Sequence, residues 1–166
     1  MTKYLINSAI ISNDGQFRYE LVRAWDLSLP VLSFVMLNPS QANATEDDPT
    51  VRQCVEHAKA KGFGGIAVYN LFAYKATNPT ELLNKQVQDL VGPFNDDLIK
   101  GIKPETTTVL AWGAFVDRSP LLKARADQVC KMLEQCAVMC LGVNKAGSPK
   151  HPLYIKKIES VGTLPD

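Results

Sequence analysis

The sequence lacks an excess of charge of either sign. Lys and Arg total 18 and Asp and Glu total 17, which gives a formal net charge of +1. Proteins that bind duplex nucleic acid along an extended surface usually carry a strong basic excess. The balance therefore counts against processive duplex binding, and any contact with nucleic acid would need a local basic patch.

The sequence also lacks an apolar run long enough to span a bilayer, and its first residues lead into strand-like sequence without a signal-peptide core. We therefore expect a cytoplasmic protein without a membrane partner. Hydrophobic residues make up 46% and charged residues 21% of the 166 residues, as in a folded globular protein. No repeat, linker or low-complexity stretch divides the chain, so we predict a single domain over residues 1–166.

Cysteine and histidine are scarce, and their spacing does not match a metal site. The four cysteines, Cys54, Cys130, Cys136 and Cys140, form no C-x-x-C pair, and we interpret them as reduced core thiols. Cys54 and His57 lie three residues apart on a predicted helix but offer only two ligands. We therefore expect no metal site and no cofactor.

Strand and helix patterns alternate along the chain. Apolar alternation on both sides of Asn13-Asp14-Gly15 predicts an N-terminal β-hairpin, which either extends the sheet or covers a pocket. Further strands are predicted at 31–37, 65–69, 107–112 and 137–141, and helices at 49–61, 80–84, 92–100 and 119–135. Strands and helices at this spacing imply parallel βαβ units. We predict an α/β fold with a central, mostly parallel four-stranded sheet plus the hairpin.

Polar and aromatic clusters follow each of these four strands. In an open parallel sheet, ligands bind beyond the carboxyl ends of the strands. The clusters there are Asn38-Pro39-Ser40, Asn70 to Tyr74, Trp112-Gly113 and His151 to Tyr154. Any single cluster is also explained by ordinary turn residues. Four together predict one binding pocket.

The order of these segments resembles the motif series of the uracil-DNA glycosylase superfamily and its mismatch-specific members. The matching segments are Asn38-Pro39, Asn70, VLAWG at 109–113 and His151-Pro152, over about residues 31–154. The resemblance implies a three-layer α/β/α sandwich that recognises a nucleobase and hydrolyses an N-glycosidic bond. The strings LNPSQANATEDDPT, YNLFAYKATNP, GPFND, AWG and SPKHPLY are similar, over nearly the whole chain, to the bacterial and phage family catalogued as domain of unknown function 1643.

The glycosylase resemblance implies roles for three residues. Asn38 lies where mismatch-specific glycosylases position the attacking water, a role open to an amide that both donates and accepts. Asn70 lies where these enzymes read the polar edge of the extruded base. His151 lies where they stabilise negative charge on the departing base. The alternative for both asparagines is a turn or strand-end amide.

Further candidates for ligand contact are aromatic or basic. Phe72 and Tyr74 are candidate stacking residues because an aromatic ring accepts any base, and Trp112 is a third, with core packing as the alternative. Lys150, near Lys145, suits a phosphate contact, and a solvated lysine loop is the alternative. The remaining ligand-binding candidates are Pro39, Ser40, Gly113 and Tyr154.

Asp47 and Asp48 indicate a different mechanism. Paired carboxylates can activate water or bind Mg²⁺, whereas acids at a helix N-terminus can also serve as caps, above all Asp48 before Pro49. We keep Asp47 as a catalytic candidate. Mg²⁺-dependent nucleotide hydrolysis is therefore a third hypothesis.

Two departures from the glycosylase pattern bear on nucleic-acid binding. The segment His151 to Tyr154 lacks the Ser-rich continuation that holds the DNA backbone, and Ser40 replaces a glycine of the mismatch-specific enzymes. The cysteine spacing also differs from that of the iron-sulfur branch. We expect the partner to be a nucleobase, a nucleotide, or single-stranded or flipped-base nucleic acid. The protein is then an enzyme that hydrolyses the N-glycosidic bond of a base or modified base in DNA, or a non-catalytic module that binds a nucleotide or a modified base.

Overall fold

A computed structural model of the protein describes residues 4–155, except the side chain of Tyr154. It contains one six-stranded sheet and four helices. The strands are β1 (Ile6–Ile11), β2 (Arg18–Ala24), β3 (Val31–Met36), β4 (Gly65–Asn70), β5 (Thr107–Leu110) and β6 (Ala137–Cys140). The helices are α1 (Pro49–Ala60), α2 (Val87–Val91), α3 (Asn95–Lys100) and α4 (Pro120–Met132). The expected mixed α/β class is confirmed.

The sheet has the strand order β1-β2-β4-β3-β5-β6. β4, β3, β5 and β6 run parallel, whereas β2 pairs antiparallel with both β1 and β4. The N-terminal hairpin, which was expected either to extend the sheet or to cover a pocket, extends the sheet to six strands. Apolar alternation predicted the hairpin but could not show that β2 would pair with β4.

Capping chemistry sets the starts of the two longest helices. Asp48 caps α1 by accepting a hydrogen bond from the Val51 N–H, and Pro49 occupies the first helical position. Ser119 caps α4 by accepting from the Leu122 N–H. None of the helices in the described part is long and apolar enough to cross a bilayer.

Helices cover both faces of the sheet because side chains alternate along each strand. Leu32, Phe34 and Met36 of β3 pack with α1 in one core cluster. Val35 and the following Leu37 belong to a second cluster with residues of α2, α3 and α4. Both faces of β3 are thus apolar, as the nearly continuous hydrophobic run at 31–37 predicted.

A β-bulge interrupts the hairpin at Tyr19. Ile10 pairs with Glu20 but Ile11 pairs with Arg18, so Tyr19 is an extra residue on β2. A bulge of this kind redirects the side chains that precede it. Arg18 consequently lies on the α1 face of the sheet.

Candidate functional site

A cleft of about 560 Å³ lies at the carboxyl ends of β3 and β5. Its walls come from the segment after β3, the start of α1, the segment after β5 and the turn at His151. The lining residues used below are Arg18, Asn38, Ser40, Asp48, Thr50, Trp112, Gly113, Phe115, Arg118 and His151. Small-molecule sites in proteins span roughly 300–1,000 Å³. The cleft has the size and the position expected of a ligand site in a parallel sheet.

Asn38 joins two of the strand-end segments. Its Nδ2 donates to the carbonyl of Ala76 at 2.7 Å and to that of Pro39 at 3.0 Å. Both amide hydrogens are thereby used within the protein. Oδ1 makes no hydrogen bond to any of residues 4–155, so the atom that Asn38 offers to a ligand is an acceptor.

His151 enters the cleft from the N-cap position of a short 3₁₀ turn, Pro152–Tyr154. Its Nδ1 accepts a hydrogen bond from the Leu153 N–H at 3.2 Å. The neutral ring therefore carries its proton on Nε2, which makes that atom a donor. Burial lowers the pKa of His151, and the nearby charge of Asp48 opposes this only in part. Burial therefore favours the neutral form of the ring.

Asp48 lies on the wall of the cleft and also caps α1. Its Oδ1 accepts from the Val51 N–H at 2.9 Å and its Oδ2 from the Ala42 N–H at 3.2 Å. The carboxylate is 9% exposed, and its negative charge acts on the pKa of both His151 and Arg18. Asp48 therefore caps α1 as expected, and it also contributes negative charge to the cleft.

Asp47 lies outside the cleft lining. Its Oδ1 accepts from Arg23 Nε at 2.8 Å and its Oδ2 from the Tyr4 hydroxyl at 2.5 Å. Arg23 is fully buried and also donates to the carbonyls of Asn43 and Glu46. This ion pair anchors the loop before α1. In the part of the chain described, no group of three or more His, Cys, Asp or Glu side chains could hold a metal ion.

The segment after β4 contributes less to the cleft than its sequence implied. Asn70 is 1% exposed, and neither polar atom of its amide has a partner among the described residues. It pairs in register with Met36, which does line the cleft. Phe72 is fully buried in the core under α2 to α4, and Tyr74 packs edge-on against Phe17. None of Asn70, Phe72 and Tyr74 lines the cleft.

Trp112 and Gly113 form the wall after β5. Trp112 is 4% exposed and belongs to the core, yet part of it borders the cleft. Gly113 has φ +83°, in the left-handed region, and a Cβ there would lie 3.3 Å from the Cβ of His151. The glycine thus allows His151 to approach the strand end.

The remaining predicted residues are divided between the cleft and its surroundings. Ser40 lines the cleft. Pro39 is buried, and its carbonyl accepts from Asn38 and from the Ala76 N–H. Lys150 is half-buried beside Gly142 and does not line the cleft. The Tyr154 side chain lies outside the described residues.

Sequence reasoning missed Arg18, Phe115 and Arg118. Arg118 lies over the ring of Phe115, 5.2 Å from its centroid, at the rim of the cleft. Arg18 is 2% exposed, and burial lowers the pKa of its guanidinium to about 10 although Asp48 opposes the shift. No local pattern identifies Arg18, because the bulge at Tyr19 decides which face it occupies.

The profile of a protein family described as "Protein of unknown function (DUF1643)" matches residues 18–153. The chain belongs to this family. The matched segment includes every residue that lines the cleft, from Arg18 to Leu153. Searches of curated proteins and of solved structures found no match.

Proposed function

We propose that this member of the family binds the base of a nucleoside or nucleotide in the cleft and hydrolyses the N-glycosidic bond that joins this base to its sugar. The observation that carries the proposal is the meeting of Asn38, Trp112 and His151. They follow β3, β5 and β6, lie far apart in the sequence, and line one cleft. Convergence of these segments is what the resemblance to uracil-DNA glycosylases implies.

The chemistry of the walls suits a base. Trp112 and Phe115 supply aromatic surface, on which a planar base can pack. Asn38 offers the acceptor Oδ1, and His151 offers a donor at Nε2 in its neutral form. A nucleobase carries donors and acceptors on the same edge, so one acceptor and one donor give it a defined orientation.

The same atoms support a hydrolytic step. Water that donates to Oδ1 of Asn38 attacks the anomeric carbon of the sugar, and the bond to the base breaks with its electron pair moving onto the base. His151 Nε2–H donates to the negative charge that develops there. Asp48 stabilises the positive charge of an oxocarbenium-like sugar, as carboxylates do in glycoside hydrolysis. One proton of the water ends on the base, and the hydroxyl stays on the sugar.

The architecture supports a glycosylase-like three-layer sandwich as part of the proposal. Two core clusters lie on opposite faces of the sheet, and helices cover each of them. The antiparallel hairpin adds two strands at one edge. The cleft lies at the carboxyl ends of the parallel strands, where this fold class places its ligands.

Non-catalytic recognition of a base or nucleotide is the second candidate. Both amide hydrogens of Asn38 hold the protein's own loops, and the carboxylate of Asp48 accepts two backbone N–H groups. These contacts favour a preformed binding site over a reactive one. Asp47 binds Arg23, whereas Asp48 binds the Val51 N–H. The two carboxylates therefore form no common site, and the structure gives no support to Mg²⁺-dependent hydrolysis.

The two candidates are separated by measuring binding and turnover on the same variants. We would titrate the protein with nucleobases, nucleosides, their 5′-monophosphates and uracil-containing single strands, and follow release of free base by chromatography. For an enzyme, His151→Gln loses turnover by about 100-fold with little change in affinity. For a binding module, neither the wild type nor any variant releases free base, and the only effect of His151→Gln is a loss of affinity.

The matched control is Lys145→Ala, since Lys145 is exposed and lies in the loop before His151 without lining the cleft. It should bind and turn over like the wild type. If no compound of the panel binds, or if His151→Gln and Lys145→Ala behave alike, the proposal is wrong.

A further inference from the structure

We propose that Arg18 binds a phosphate group in the cleft, so that the ligand is a free nucleotide with a terminal phosphate. This inference rests on the proposed function and narrows it to one class of ligand. It depends on the unused hydrogen-bond donors of Arg18, on the charge of the cleft walls and on the direction of α1.

Arg18 is a buried cation with unused donors. Its side chain is 2% exposed, and its one hydrogen bond within residues 4–155 runs from Nη1 to the Ala42 carbonyl at 2.9 Å. Nε is buried without a partner in that part of the chain. Burial of a guanidinium is costly unless its donors are paired. A ligand that supplies acceptor oxygens would offset that cost.

Arg125 provides an internal comparison because it is equally buried, at 2% exposed. Its Nε donates to the Leu71 carbonyl at 2.9 Å, its Nη1 to Gln128 at 2.9 Å and its Nη2 to Asp96 at 2.7 Å. All three nitrogens of Arg125 therefore have protein partners. Arg18 has the same burial but lines a cleft and has a partner at one nitrogen only.

The charge of the walls favours an anion. Arg18 and Arg118 carry two positive charges against one negative charge on Asp48, and His151 is neutral. Two backbone N–H groups already bind the Asp48 carboxylate. The start of the 12-residue helix α1 also lines the cleft at Thr50, so the positive end of its dipole lies at the cleft, where Asp48 already binds the Val51 N–H. The helix dipole and the guanidinium of Arg18 together favour a phosphate.

The depth of Arg18 favours a terminal phosphate over a nucleic-acid backbone. A continuous strand needs an exposed basic groove along which its phosphates can run. Arg18 is nearly inaccessible from the surface, and the whole chain has a net charge of +1. Arg18 lines the same cleft as Trp112 and Phe115, so a small ligand that enters the cleft can present a phosphate to Arg18 and its base to the aromatic rings. We therefore infer recognition of a nucleoside monophosphate or a longer free nucleotide.

The test compares each common nucleoside with its 5′-monophosphate by isothermal titration calorimetry. Inorganic phosphate alone and a short single-stranded oligonucleotide are measured beside them. In the wild type we expect the monophosphate to bind about tenfold or more tightly than its nucleoside, as for a hydrogen bond to a charged group. In Arg18→Met this ratio should fall to near one. Arg18→Lys keeps the positive charge but lacks the planar guanidinium, so its ratio should lie between those of the wild type and Arg18→Met. This second variant tests the inference if Arg18→Met does not fold.

Arg125→Lys is the matched control, because it alters an equally buried arginine outside the cleft. It should lower the melting temperature and leave the monophosphate-to-nucleoside ratio unchanged. Equal binding of nucleoside and monophosphate to the wild type would overturn the phosphate inference and leave the proposed function intact. Phosphate binding that needs Arg18, without binding of any nucleoside or nucleotide, would support the anion site and overturn the nucleobase proposal. If none of the probes binds, both the phosphate inference and the proposed function are wrong. If the oligonucleotide binds more tightly than the monophosphates and this binding needs Arg18, the ligand is not a free nucleotide with a terminal phosphate.

Discussion

Gly113 and His151 lie so close that a single methyl group on Gly113 would come within 3.3 Å of the His151 Cβ. Gly113 also has φ +83°, a conformation that L side chains rarely adopt. The strand-end motif AWG and the loop that carries His151 are therefore fitted to each other. His151 can occupy its position in the cleft because residue 113 has no side chain.

Gly113→Ala should destabilise the protein and weaken the ligand site together. The backbone of Gly113, with φ +83° and ψ −178°, lies in a region nearly exclusive to glycine and costs an alanine about 1–3 kcal/mol. The added methyl group also pushes against the His151 Cβ and shifts the ring within the cleft. Denaturant unfolding measures the first effect, and titration with the ligand found in the nucleotide panel measures the second.

Gly62→Ala is the matched control for this substitution. Gly62 also has φ +83°, but a Cβ there would have no neighbour within 4 Å. It should show the loss of stability without a loss of ligand affinity. Equal affinity in Gly113→Ala and Gly62→Ala would contradict a role for the contact with His151.

Asp47→Ala should lower the free energy of unfolding and leave ligand binding by the folded protein unchanged. Removing Asp47 leaves the fully buried Arg23 without its carboxylate, and loss of one partner of a buried ion pair costs about 3 kcal/mol. The milder Asp47→Asn retains an acceptor for Arg23 Nε and should cost less. Chemical denaturation and ligand titration at a temperature where all variants are folded check both points. A stable Asp47→Asn protein that binds ligand but has lost turnover would restore Asp47 as a catalytic residue.

Stability should fall as the pH decreases below about 6.5. In the folded protein, burial lowers the pKa of both His57 and His151 below the ordinary histidine value of about 6.5. The unfolded chain then binds more protons than the folded one, so protonation favours unfolding as the pH falls from 6.5 toward the folded pKa values. Urea unfolding at pH 7.5, 6.5 and 5.5 measures this trend.

The loss over that range should be smaller in His151→Gln, which retains only the contribution of His57. Asp14 and Asp26 do not contribute over this range, because hydrogen bonds with Ser12 and Ser28 hold the pKa of each carboxyl below its ordinary value. A wild-type stability that is constant from pH 7.5 to 5.5 would show that neither histidine is held neutral by the fold.

Asn95→Ala should destabilise the protein more than Asn78→Ala. Asn95 is fully buried, and its Nδ2 donates to the carbonyls of Asn70 and Leu71 at 2.9 and 3.3 Å. The Leu71 carbonyl keeps its hydrogen bond from Arg125 Nε, but loss of the shorter bond to the buried Asn70 carbonyl costs about 1–3 kcal/mol. Asn78 is exposed and caps a 3₁₀ turn, a contact worth about 1 kcal/mol. Thermal and denaturant unfolding rank the two, and a larger loss in Asn78→Ala would contradict the role assigned to Asn95.

The fold class and the general position of the site could be predicted from the sequence. Apolar runs and capping residues are local signals, which is why α1 begins at Pro49 behind Asp48 as expected. Parallel strands place their carboxyl ends along one edge, so Asn38, Trp112 and His151 could be expected to meet there. The structure brings all three to one cleft.

Only the tertiary structure decided which side of the strand ends each residue occupies. Phe72 and Tyr74 follow β4 as expected but pack away from the cleft, and Asp47 turns to Arg23 instead of joining Asp48. Sequence order places residues at a strand end, but long-range packing selects the face on which each side chain lies.

The position of Arg18 is the clearest example of what the sequence could not predict. Its chemistry is visible in the sequence, yet its place in the cleft depends on one extra residue in β2 and on the pairing of β2 with β4. Since side chains alternate with a period of two, a single bulge moves a residue to the opposite face of a sheet. Local composition determined the strands and helices of this protein, whereas strand register and pairing determined which charges meet in its cleft.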